Sequence, residues 1–437
     1  MTPATCLRCR KLSLALLLCI SAFQGPAVAQ DAQTTALFAK TFDTHWERLR
    51  DEYPYFALYA VDWEAERAEH RPRALAAENP TEFAWELARL ISALPDPHVS
   101  FMPSLETVVG HWSMPEVTTA RIERKTYVLA WPEGGEPVAP AAFAADAHAY
   151  PEVISVRGEP LQHCSDILVG GPLGTAFELG LRWPDGSESE HRIQRPEHSN
   201  LPPPKPHFGT DWLVTGRVGS IGYLGIRTFS PDKATLGPDG KMTTQLRAAL
   251  AELADTEGLI LDFQGNGGGQ VAASDPFLGH LIDRRLKYRW GNSGGKSRVI
   301  RPRNPRYRGK LVALVDGGSA SGGEWAPRIL RDAGRAIVVG ERTSGAEAAV
   351  HTSEGPDGSL VRYSAWPMLE PGVQSIQERG IELDHVLPLT IAAAREQGFE
   401  AAQEAVRRAR LLKALELLGA PESAVDEFLK LAARGST

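Results

Sequence analysis

Two nearly continuous apolar runs, Gly258 to Phe263 and Lys310 to Val315, each end in a glycine-rich turn. No feature constrains the fold more. A strand that is apolar on successive side chains is buried on both faces, the condition of a parallel sheet covered by helices. Around these runs the pattern alternates. Ser220 to Ile226 reads as a strand, Thr243 to Leu253 as a helix, and Pro276 to Ile282 as the opening of another helix. A helix over about Glu324 to Asp332, a strand over Ala336 to Val339 and a helical tail from about 390 complete the series. Such alternation predicts α/β layering with a largely parallel core.

Upstream, residues from about 35 to 105 read as helical. Asn79-Pro80-Thr81-Glu82 offers an N-cap, a proline at the first helical position and a glutamate at the third. Phe83, Leu87, Leu90, Ile91 and Leu94 then share one apolar face. The turn Pro95-Asp96-Pro97 stops that helix and leaves His98 on a rigid loop. From about 115 to 200 short strands and turns take over, including Val153 to Val156 and Phe177 to Trp183 before Pro184-Asp185-Gly186. Pro202, Pro203 and Pro204 read as a linker.

The first 29 residues read as an export signal. Arg8, Arg10 and Lys11 precede the apolar stretch Leu12 to Phe23, and Ala27-Val28-Ala29 supplies a cleavage pattern. That predicts a periplasmic or secreted protein with no membrane span after cleavage, since the stretch is short for a bilayer. Cys19 does not mark a lipoprotein, because Leu17 and Leu18 precede it without the usual small residue. Net charge is −7 with no polybasic run, which excludes an electrostatic nucleic-acid binder. Of four cysteines only Cys164 lies beyond the signal, so neither an internal disulfide nor a thiolate metal site is expected.

The chemistry concentrates in the two glycine turns. In Asn266-Gly267-Gly268-Gly269 the missing Cβ atoms let backbone N–H groups face a ligand. In Gly317-Gly318-Ser319-Ala320-Ser321-Gly322-Gly323-Glu324, Ser321 sits between strand and helix, where the helix dipole favours negative charge. The Gly322 N–H would face the oxyanion formed when Ser321 attacks a carbonyl. Ser319 is a nearby rival, and helix capping is the plain alternative for either serine. Glu324 could cap the helix or support the site. A serine needs a base, and His98 is fixed by its proline-bracketed turn; Glu378 could orient the imidazole.

Taken together, GLILDFQGNGGG, LVALVDGGSASGGE, RDAGRAIVVGERTSG and QERGIELD resemble the carboxyl-terminal-processing (tail-specific) serine peptidases and their tricorn-core relatives. The resemblance implies a ClpP/crotonase-like core preceded by a PDZ-like module, with PEVISVRGEPL and GTAFELGLRWPDG similar to its later strands. With the patterns read above, it divides the chain into 1–29 (signal), 30–114 (helical), 115–205 (PDZ-like), 206–392 (peptidase core) and 393–437 (helical tail). Ser321 matches the family nucleophile, and Gly322, Gly268 and Gly269 match its oxyanion region. The lysine of the tail-specific Thr-x-Gly-Lys pattern is missing, since Thr343-Ser344-Gly345-Ala346 stands there. His98 and Glu378 match instead the histidine and glutamate of the tricorn-like branch. Pro97 replaces its usual glycine, and Leu383 stands where a proline is usual. The expected function is an exported Ser/His/Glu peptidase acting on peptides or proteins, needing neither metal nor organic cofactor. Two other functions fit the same residues: a binding protein carrying a lipid-like or peptide ligand without turnover, and a hydrolase of another acyl substrate.

Overall fold

The structure is a computed structural model that describes residues 32–104, 112–131, 146–160, 170–198, 212–230, 241–289, 297–367 and 375–434. The signal at 1–29, Cys164 and the three prolines at 202–204 lie outside the described residues.

The N-terminal helices are α1 (Ala32–Glu52), α2 (Phe56–Tyr59), α3 (Trp63–Leu75) and α4 (Pro80–Ser92). Asn79 starts α4 as its sequence predicts. Its side chain accepts from the N–H groups of Thr81 and Glu82 at 3.1 and 3.0 Å, and Glu82 accepts from the Glu78 N–H at 2.8 Å. The helical reading to 105 runs too far, because β1 (Ser100–Met102) follows the proline turn. A strand of three residues carries almost no periodicity. Its partner, residues 360–362, is supplied by the fold.

Beyond it, β2 (Thr118–Ile122), β3 (Lys125–Ala130), β4 (Glu152–Val156), β5 (Ala176–Arg182) and β6 (Glu188–Gln194) form an antiparallel sheet in sequential order. Val128, Val153, Phe177, Leu181 and Ile193 make its own core. This module is clamped to the helices by Arg157, whose guanidinium carbon lies 3.2 Å from the Trp85 ring centre.

The α/β part contains β7 (Leu213–Val218), β8 (Ile221–Ile226), α5 (Lys241–Glu252), β9 (Gly258–Asp262), α6 (Val271–Gly279), β10 (Lys310–Val315), α7 (Gly322–Asp332) and β11 (Ala336–Gly340). After these come β12 (Ala349–Glu354), β13 (Leu360–Trp366), β14 (His385–Val386), α8 (Ile391–Gln397), α9 (Phe399–Leu418) and α10 (Val425–Ala433). One sheet has the order β7-β8-β9-β10-β11-β14 and is parallel from β8 onward. Its continuous apolar strands have a direct cause. Leu259, Leu261, Leu311 and Ala313 join the core under α5, α6 and α7, while Ile260, Val312 and Leu314 join the core under α9 and α10. Burying each such aliphatic side chain stabilises the fold by about 2 kcal/mol.

Helix α6 begins at Val271, five residues before Pro276, and holds that proline inside it. Ala272, Ala273 and Ser274 carry no helical periodicity from which its start could be read. A second sheet, ordered β1-β13-β12, packs Val361, Tyr363 and Ala365 against Phe42, Trp46 and Leu87 of the N-terminal helices. Alternation then turns Arg362, Ser364 and Trp366 to the opposite face. Among the described residues no helix is long and apolar enough to cross a membrane.

Candidate active site

Parallel pairing of β9 with β10 puts both glycine turns at one end of the sheet. There the Ala320 N–H donates to the Asn266 carbonyl at 2.9 Å, and a Cβ on Gly323 would lie 2.1 Å from that same oxygen. Only glycine fits at 323. The turn leaves Ser321 with φ 50° and ψ −118°, a conformation that costs an L residue about 1–3 kcal/mol. The Ser321 N–H donates to Glu324 Oε2 at 3.0 Å, and the Glu324 N–H is met by the Ser321 carbonyl at 2.9 Å. Ser321 lines a cleft of about 560 Å³ together with Gly269, Gln270, Gly322, Trp325 and Arg362. Ser319 differs sharply. It is fully buried, donates to the Phe263 carbonyl at 2.9 Å and accepts from the Asp316 N–H at 3.0 Å, so it ties two loops together.

The glycines are equally specific. A Cβ on Gly268 would lie 2.7 Å from both the Ala320 carbonyl and Ser321 Cβ, and one on Gly269 would lie 2.1 Å from the Phe229 backbone. Their φ values of 98° and 138° independently favour glycine. The Gly268 N–H is already taken by Asn266 Oδ1 at 2.9 Å. Those of Gly269 and Gly322 meet no protein acceptor among the described residues, and a Cβ on Gly322 would lie 3.4 Å from the Gly269 nitrogen. Two donors are thus left close together beside Ser321.

Glu324 fixes this geometry. Fully buried, it accepts from Thr343 Oγ1 at 2.5 Å and from the N–H groups of Gly345, Ala346 and Ser321 at 2.7, 2.9 and 3.0 Å. Burial pushes its carboxyl up to about 6 against the pull of these donors. The Thr343-Ser344-Gly345-Ala346 segment is therefore bound, through Glu324, to the Ser321 turn.

His98 is buried in the loop before β1. Its Nδ1 lies 3.4 Å from Ser364 Oγ, while Nε2 has no hydrogen-bond partner among the described residues. Burial, helped by the Arg362 charge, pulls its pKa down to about 3, so the ring is neutral at pH 7. The His98 N–H donates to Asp96 Oδ1 at 2.8 Å, and Tyr53 donates to Asp96 Oδ2 at 3.2 Å. Burial raises Asp96 against the pull of His98, Ser364, Tyr53 and Gln377.

Glu378 has φ 62° and lies 3.8 Å from Arg124 Nη2, with its side chain 28% exposed. Its carbonyl accepts from Arg124 at 2.8 Å and from Arg342, and its N–H donates to the Gly345 carbonyl at 2.9 Å. No hydrogen bond joins Ser321, His98 and Glu378 directly. One frame nonetheless connects them: Glu324 links Ser321 to Gly345, Gly345 meets Glu378, and the adjoining Gln377 contacts Asp96 in the His98 loop. Gln377 also donates to Tyr59 at 2.9 Å and accepts from the Glu347 N–H at 2.9 Å.

Sequence reasoning passed over Arg362, Ser364 and Glu347. Arg362 and Glu347 line the cleft, and Ser364 faces His98. The alternation in Leu360-Val361-Arg362-Tyr363-Ser364 could have marked the first two of these as facing away from the core; nothing local singles out Glu347. Among the described residues no group of three or more His, Cys, Asp or Glu is placed to hold a metal ion.

Residues 220–387 match Peptidase family S41, and residues 35–91 match the tricorn protease C1 domain. The chain carries a peptidase family S41 domain. This bears out the resemblance read from the motifs. The carboxy-terminal processing protease CtpB of Bacillus subtilis (strain 168) is 28% identical over 245 residues, which cover 53% of this chain and 47% of that protein. The chloroplastic carboxyl-terminal-processing peptidase 3 of Arabidopsis thaliana is 28% identical over 265 residues, covering 56% and 48%. The chain thus spans about half the length of these relatives. Among solved structures, mature CPAF superposes with a TM-score of 0.59 at 16% identity, covering 89% of this chain and 98% of that one. That likeness speaks to the fold alone.

Proposed function

We propose that the chain is an exported serine peptidase that hydrolyses peptide bonds, with Ser321 as nucleophile, His98 as base and Glu378 as the carboxylate that orients it. One observation carries this reading: Ser321 is held at positive φ in the cleft, beside the N–H groups of Gly269 and Gly322, which meet no acceptor among the described residues. Ser321 Oγ would attack the scissile carbonyl while its proton passes to His98. The carbonyl π electrons move to oxygen, and the two glycine N–H groups stabilise that oxyanion, at about 3 kcal/mol per donor. Collapse of the tetrahedral species expels the amine, which takes the proton from His98, and water then releases the acyl group by the same steps.

The neutral His98 is in the protonation state that a base requires. Its Nε2 must still come within reach of Ser321 Oγ, and Glu378 must turn from Arg124 toward the ring. Catalytic hydrogen bonds often tighten only when substrate binds. A peptide or protein substrate is supported by the processing activity named for the B. subtilis and A. thaliana relatives. Export rests on the N-terminal sequence pattern. We read the β2–β6 sheet as PDZ-like, residues 206–392 as a ClpP/crotonase-like core, and the remaining boundaries as the sequence suggests.

The partnerless Nε2 favours one second reading, a peptide-binding or lipid-binding protein without turnover. A fluorophosphonate probe separates the two. Labelling of the full chain at Ser321, located by mass spectrometry and abolished by Ser321→Ala and His98→Ala, is the expected result. Label retained in Ser321→Ala would overturn the nucleophile assignment, and unlabelled folded protein would support binding without catalysis.

A further inference from the structure

The cleft at Ser321 is not electrically neutral. Its charged groups differ in how far they are satisfied. Arg298 is held by Asp275 at 2.5 Å, and the same carboxylate accepts from Tyr288 at 2.8 Å. Glu347, 1% exposed, is met by the Ser375 hydroxyl and by Arg328 at 3.5 Å. Arg362 has no such partner: among the described residues no carboxylate pairs with it. Its charge reaches His98, where it disfavours the imidazolium.

Its placement follows from register. In β13, Arg362 lies between Ser100 of β1 and Thr352 of β12, and neither neighbour can neutralise a guanidinium. Two positions on, Ser364 touches His98, and its cross-strand partner Val350 lines the cleft. Arg362 is therefore fixed on a rigid strand, one side-chain step along the same face from the candidate base. Partial burial lowers its pKa with no opposing carboxylate to restore it. A guanidinium presents a planar fork of donors that matches a carboxylate in two parallel hydrogen bonds.

We infer that Arg362 is a specificity residue that binds a substrate carboxylate close to the scissile bond. This rests on the reading of the cleft as a peptide site. A volume of about 560 Å³ holds only a few side chains, so the carboxylate must belong to a residue near the cleaved bond. It is either an Asp or Glu side chain or the free carboxyl end of the peptide. The chemistry recognised is the same.

The test uses the full chain with paired peptides that differ only by Glu against Gln at one position, or by a free carboxyl against a carboxamide at the end. The expected kcat/KM ratio within at least one pair is about tenfold or more in favour of the carboxylate. The pair that shows it identifies the source. Arg362→Gln brings that ratio near one, Arg362→Lys keeps part of it, and Arg362→Glu turns the preference toward a Lys-containing peptide. Because each ratio is taken within one variant, loss of folded protein does not alter it. A wild-type ratio near one in every pair, or a preference that survives Arg362→Gln, overturns the assignment. Binding of the same pairs to Ser321→Ala, read by fluorescence anisotropy, keeps the two readings apart. If no peptide is cleaved but Arg362-dependent carboxylate preference appears in binding, the arginine assignment stands and the peptidase reading falls. Equal binding within all pairs, with no cleavage, overturns both.

Discussion

The Ser321 turn and the His98 corner are built on different principles. The first is backbone architecture: glycines at 268, 269 and 323 admit close approach, and Glu324 accepts four hydrogen bonds that leave Ser321 one position. The second is side-chain architecture. A neutral imidazole faces the Ser364 hydroxyl with its other nitrogen unused among the described residues, Asp96 holds the His98 backbone, and Glu378 lies beside Arg124. The proposed nucleophile is thus preorganised, while the groups proposed to move its proton have to complete their contacts. A rigid half and an adjustable half should respond differently to substitution.

The largest contrast is in activity. Ser321→Ala should lower peptide hydrolysis by about 10⁴-fold or more with little change in melting temperature. Ser319→Ala should instead destabilise by about 1–3 kcal/mol, because it removes a buried hydrogen bond to the Phe263 carbonyl and a half-buried one from the Asp316 N–H, as denaturant titration would show. Equal loss of activity in both, with intact folds, would erase the distinction between the serines.

Next comes pH. An unfolded His98 titrates near 6.5 and the folded one near 3, so between these values the unfolded chain binds a proton that the folded chain refuses. The stabilising contribution is complete above pH 6.5 and is lost on acidification toward pH 3, by on the order of 4 kcal/mol. Subtracting the stability–pH curve of His98→Asn from that of wild type should isolate this slope. A flat difference would mean that the ring is solvated.

Glu324→Ala should follow, at about 3 kcal/mol, since it strands Thr343 and three backbone N–H groups. A fall in kcat at unchanged KM would show that the loss reaches Ser321. Smallest is Arg124→Ala. Both side chains of that pair are about one-third exposed, so stability should change by less than about 1 kcal/mol. The carbonyl contact at 2.8 Å supports the positive φ of Glu378, so kcat should fall a few-fold. An unchanged kcat would detach Glu378 from the reaction.

The same division explains what could be read from the chain. The apolar strands and glycine turns were legible because their constraint is local: burial on both faces and absent Cβ atoms leave a mark in consecutive residues. Asn79 was legible for the same reason. The His98 corner was only half visible. Pro95 and Pro97 mark a rigid loop, but Ser364 and Gln377 reach it through pairing across hundreds of residues, and their types are ordinary. Arg362 escaped notice because standing without a carboxylate partner among the described residues is a property of the assembled sheets. Ala346, where a lysine is missing, pointed away from one mechanism, whereas Glu324's hold on the same segment exists only in three dimensions.

The dihedral angles of Ser321 carry a last implication. Glycine would adopt φ 50°, ψ −118° without a Cβ penalty, so Ser321→Gly should relax a strain of about 1–3 kcal/mol, reduced by the greater freedom of glycine in the unfolded chain. If Ser321 is the nucleophile, the inert Ser321→Gly variant would then fold at least as well as the parent chain. On the proposed reading, the strained backbone at this turn is kept for the chemistry of its hydroxyl.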